Sequence, residues 1–129
     1  MTPADSDPVP GPQTDSAPDD PLLAARALVL HDLAARGLAQ PLVVSMLERS
    51  LSERRWWLSQ WPEGAAYVLG LVAQDVQDAV QDTIGRWPRC SSCDSLNEHD
   101  LQITPELGDD PQWVCENSGI IVAAVGRLT

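Results

Sequence analysis

The sequence predicts an α+β protein, with a helical unit of three to four helices over residues 21–86 followed by a small three-stranded antiparallel sheet over residues 87–129. Three observations predict it. Apolar residues recur at helical spacing as far as Gly85. After Trp87-Pro88 they come in short runs divided by Pro, Gly, Asp and Asn, the punctuation of strands and turns. Two cysteines with two residues between them, Cys90 and Cys93, open that second part, and Cys115 lies within it. A chain of 129 residues is in the range of a single core.

Residues 1–20, MTPADSDPVPGPQTDSAPDD, hold five prolines, five aspartates and no basic residue. They bury too little to offset the entropy of ordering, so a disordered acidic, Pro-rich tail is expected. Asp20 followed by Pro21 supplies an acceptor at a helix cap and a fixed φ at the first helical position. The first helix should run towards Gly37. A second begins near Pro41, and Val43, Met46, Leu47, Leu51, Trp57, Leu58 and Trp61 share one face if it continues to Gln60. Ser50 and Glu53 have the spacing of a capping box, so a restart there is the alternative. Trp61-Pro62 ends the pattern because proline restricts the preceding residue and lacks the N–H that a helix needs.

A third helix follows, with Ala65, Val68, Leu69, Val72, Val76, Ala79, Val80 and Thr83 on one apolar face and Gly85 as its stop. Leu101 to Thr104, Gln112 to Glu116 and Ile120 to Val125 then read as three short strands.

The net charge of −11 is unevenly spread: −5 over residues 1–20, zero over 21–89 and −6 over 90–129. Binding to nucleic acid depends on Lys and Arg displacing counterions from phosphates, so an acidic tail and an acidic C-terminal part argue against it and against anionic membranes. The run PLLAARALVLHDLAA is interrupted by Arg26, His31 and Asp32, so it is read as neither a signal peptide nor a membrane span. With three cysteines, an odd number, and no export signal, a cytoplasmic protein with reduced thiols is expected.

Two cysteines spaced as Cys90 and Cys93 can reach one zinc ion from a single turn, and a zinc ribbon supplies a second such pair further on. Cys115 lies at a suitable distance, but its partner position is Ser118, whose hydroxyl keeps its proton near neutral pH. His99 is the nearest group that could close the shell, giving Cys90, Cys93, His99 and Cys115 as a Cys3His set for structural Zn2+. The alternatives are three cysteines buried as small apolar residues with a solvated His99, or a Cys90–Cys93 disulfide with redox chemistry.

Residues 87–128 resemble the zinc-ribbon pattern. The strings WPRC, HDL, WVC and SG are similar to the C-terminal segment of small uncharacterised bacterial proteins with a Trp-Pro-x-Cys, His-x-Leu and Trp-x-Cys pattern. That resemblance implies Cys90, Cys93, His99 and Cys115 as ligands and brings no activity with it. Trp87 and Trp113 flank these positions and are expected to shield the metal.

Two further surfaces are candidates for a partner. Asp75, Asp78 and Asp82 form a carboxylate stripe on the third helix, read either as a solvated face or as a contact for a basic protein surface. Arg55 and Trp56 have the composition of an interface anchor, unless Trp56 packs on the C-terminal sheet. No phosphate loop, nucleophile elbow or triad is present, and His31 beside Asp32 is read as a capped or solvated histidine. The expected function is therefore a non-enzymatic interaction, adaptor or regulatory protein with a structural zinc site and a protein partner. The rivals are a nucleic-acid-associated zinc ribbon and a small zinc hydrolase, the latter requiring an open position on the metal.

Overall fold

A computed structural model describes residues 20–91, 93 and 98–129. Three helices precede a three-stranded antiparallel sheet, as the sequence predicts: α1 (Pro21–Ala35), α2 (Pro41–Gln60), a 3-10 turn (Pro62–Tyr67), α3 (Val68–Thr83), β1 (Gln102–Thr104), β2 (Gln112–Val114) and β3 (Ile121–Ala124). The expected tail over residues 1–20 lies outside the described residues, apart from Asp20.

Asp20 caps α1, its Oδ1 accepting from the backbone N–H groups of Leu22 at 2.9 Å and Leu23 at 3.3 Å. At the other end Leu38 N–H donates to Leu33 C=O at 2.8 Å across Gly37, whose φ of +74° is the left-handed turn that closes a helix. The second helix is continuous from Pro41 to Gln60, so the restart at Ser50 does not occur. Ser50 is buried instead, and its hydroxyl donates to Asp75 Oδ2 at 2.8 Å.

The expectation that Trp61 belongs to the apolar stripe of α2 is corrected. Pro62 ends the helix before it, Trp61 has φ −144° outside the helical region, and its side chain is 40% exposed. The ring folds back edge-on to Trp57, with centroids 5.2 Å apart, and lies 5.7 Å from Tyr67. Ala65, expected on the face of α3, lies in the 3-10 turn and is exposed.

In the sheet β2 is central, with Ile103 opposite Trp113 and Trp113 opposite Ala123, and the register shifts between Trp113 and Val114. Helices and sheet share one buried cluster. Val29, Leu33, Val43, Leu47, Val72, Val76 and Val80 fill the space between the helices, and Trp87, Leu101, Trp113 and Leu128 join it from the C-terminal part. Each such side chain contributes about 1.5–3 kcal/mol by leaving water. Two buried polar residues tie the layers together. Gln77 of α3 donates from Nε2 to Leu101 C=O at 2.8 Å and Trp87 C=O at 3.2 Å. Asp32 of α1 accepts from Trp113 Nε1 at 2.8 Å, Gly126 N–H at 2.6 Å and Leu128 N–H at 3.0 Å. Among the described residues no helix is long and apolar enough to cross a membrane.

Candidate metal centre

Two turns build the centre. Leaving α3, the chain pairs with itself: Leu101 N–H donates to Pro88 C=O at 2.8 Å and Cys90 N–H to His99 C=O at 2.9 Å, around an antiparallel bridge of Arg89 with Asp100. Cys90 and His99 therefore stand opposite each other at the neck of a hairpin, and Cys93 lies in its loop. An ion pair between Arg89 and Glu98, at 2.7 Å, crosses the same neck. The second turn follows β2: Gly119 N–H donates to Cys115 C=O at 2.7 Å and Cys115 N–H to Ile120 C=O at 2.9 Å. Ser118 Oγ accepts from Ile120 N–H at 3.2 Å and so braces this turn.

The two turns bring Cys90, Cys93, His99 and Cys115 together, with one sulfur or ring nitrogen from each within 4.8 Å of all the others. Cys90 Sγ and Cys93 Sγ are 3.8 Å apart, and His99 Nε2 is 3.5 Å from both Cys93 Sγ and Cys115 Sγ. Cys115 is fully buried, and the other three are half-buried. The donor set is compatible with a metal site. At 3.8 Å the Cys90 and Cys93 sulfurs are not bonded to each other, since a disulfide requires about 2.05 Å.

The Cys115 thiol is drawn down from an ordinary value of 9.0 to about 5, first by the Ser118 hydroxyl and then by His99, while burial opposes the shift. Ser118, three residues after Cys115, thus favours its thiolate. Metals bind that ionised form.

The remaining candidate residues lie elsewhere. Asp75 faces α2, where Arg54 clasps it with two 2.8 Å hydrogen bonds, so one member of the carboxylate stripe is spent inside the molecule. That contact raises the Arg54 pKa. Asp78 and Asp82 are exposed, and burial first, then the charges of Asp75 and Asp82, raise the Asp78 carboxyl above its usual range. Arg55 is exposed, and Trp56 is 68% exposed. Trp87 and Trp113 meet edge-to-face at 5.4 Å within the shared core. His31 Nε2 lies 3.0 Å from Leu128 C=O.

Asp32 was not singled out by the sequence as a structural residue. The available signal was its position three residues after Val29 and next to Leu33, a carboxylate on the apolar stripe of α1. Gln77, between Val76 and Val80, carries the same signal on α3.

The chain belongs to the family described as a domain of unknown function, DUF8819, whose model matches residues 18–125. No curated protein and no solved structure matches it.

Proposed function

We propose that the protein is a non-enzymatic interaction or adaptor module whose C-terminal sheet is fastened by structural zinc on Cys90, Cys93, His99 and Cys115. The spacing of the donor atoms carries the metal assignment. A tetrahedral ion with Zn–S near 2.3 Å and Zn–N near 2.05 Å separates two sulfurs by about 3.8 Å and a sulfur from a nitrogen by about 3.6 Å. The separations here are 3.8 Å for Cys90–Cys93 and 3.5 Å from His99 Nε2 to the Cys93 and Cys115 sulfurs.

With three thiolates and a neutral imidazole the filled site would carry −1. All four positions would be occupied by protein, which leaves none for a water and favours a structural over a hydrolytic role. The arrangement is similar to a zinc ribbon in which Ser118 replaces a cysteine and His99 supplies the fourth donor. The −6 balance of residues 90–129 supports a protein partner over nucleic acid. The contact surfaces we assign to that partner are Arg55 with Trp56, and Asp78 with Asp82, beside the internally paired Asp75.

Elemental analysis of the purified chain and of two variants tests the metal assignment. Zinc retained by Ser118→Ala and lost by His99→Ala is the expected pattern; equal zinc in all three would remove His99 from the ligand set.

A further inference from the structure

A cleft of about 300 Å3 lies where the α1–α2 connection meets the segment leaving α3. Arg36, Arg86 and Arg89 line it together with Leu38, Ile84 and Trp87, and among the described residues no acidic side chain does. The whole chain has eight basic residues against nineteen acidic ones, so three arginines around one cleft form a local reversal of charge.

Their partners leave that charge largely available. Arg36 is held by main-chain oxygens, Nη1 donating to Arg89 C=O at 2.9 Å and Nε to Thr129 O at 3.1 Å, which fixes the guanidinium. Arg86 is exposed and has no side-chain partner among the described residues. Arg89 pairs with Glu98, but both side chains are more than half exposed, where ion pairs hold weakly.

Trp87, one of the lining residues, supplies a second, independent observation. Trp87 is 1% exposed, and its indole N–H is buried with no acceptor among the described residues, a donor that native structures rarely leave unmatched. Ile84 beside it is 46% exposed, an apolar surface open to a ligand.

We infer that this cleft binds a small organic oxyanion, a phosphate or carboxylate carried on an apolar, ring-sized body. Guanidinium groups present paired donors that match both oxyanions, and Leu38, Ile84 and Trp87 offer the body an apolar seat. The volume falls at the lower end of ligand pockets, about 300–1,000 Å3, which fits a single ring and excludes a large cofactor. None of the four metal-binding candidates lines this cleft, and the inference goes beyond the adaptor reading.

The test is a titration of the full-length, isotopically labelled chain with phenyl phosphate, read at the indole N–H resonance of Trp87. A saturable shift is expected, weakened about tenfold in Arg86→Gln, which removes an exposed charge without touching the core. Inorganic phosphate and phenol, the two halves of the probe, should each bind at least about tenfold more weakly. The inference is overturned by the absence of a saturable shift, by an unchanged titration in Arg86→Gln, or by inorganic phosphate matching phenyl phosphate. Saturation by an acidic peptide in the absence of phenyl phosphate binding would also overturn it, making the cleft a protein-docking surface.

Discussion

Asp32 is one of the few charged side chains a small core can keep, because three donors converge on its two oxygens. Two of them are backbone N–H groups of Gly126 and Leu128, so one side chain of α1 pins the last turn of the chain. Gly126 can approach because its φ is +101° and because any Cβ there would strike Leu28. Replacing Asp32 by Ala strands three buried donors, and we expect a loss of about 3–5 kcal/mol in urea unfolding, with a smaller loss for Asp32→Asn. Cys115 gives a pH prediction. Its folded thiol lies near 5 and its ordinary value is 9.0, so the thiolate's contribution to stability is complete above about pH 9 and is lost as pH falls through about 5. Ultraviolet thiolate absorbance of the metal-free chain should show one group titrating near 5, and Ser118→Ala should move that step upward. At this scale the sequence displayed the cysteines and His99 plainly, because residue type and spacing alone limit what can share a turn. It did not display the role of Asp32, because the partners, Trp113, Gly126 and Leu128, are more than eighty positions away and nothing local announces them.

At the level of elements, the limits of α1 and the stop of α2 follow from signals written in a few residues: the Asp20-Pro21 start, the left-handed Gly37, and Pro62. The three strands were equally legible, since each turn between them holds Pro, Gly or Asn. The junction of α2 and α3 was not, because helical periodicity was carried one residue too far. Trp61 sits beyond the break, and its ring, with that of Trp57, closes over buried Gly64. A Cβ at Gly64 would collide with both rings. Gly64→Ala should therefore cost about 1–3 kcal/mol in thermal unfolding and alter the tryptophan fluorescence of the folded state. Spacing also could not assign Asp75, since a carboxylate on a helix looks solvated until a neighbouring helix brings up Arg54.

For the whole molecule, the decisive fact is that strands of three, three and four residues have little cohesion of their own. They are held by the shared core above, through Trp113 and Gln77, and by the two cysteine-bearing turns below. Metal on those turns would couple them, and its binding energy would become folding energy for the sheet. Treatment of the chain with a chelator should then release the paired segments 88–90 and 99–101 and the Cys115 turn first, seen as loss of amide protection there, while α1 to α3 keep most of theirs. The central claim is tested most directly by native mass spectrometry of the chain purified without added metal. The account predicts one zinc ion per chain, removed by chelation together with the amide protection of the sheet. A bare chain whose sheet amides remain protected would contradict it.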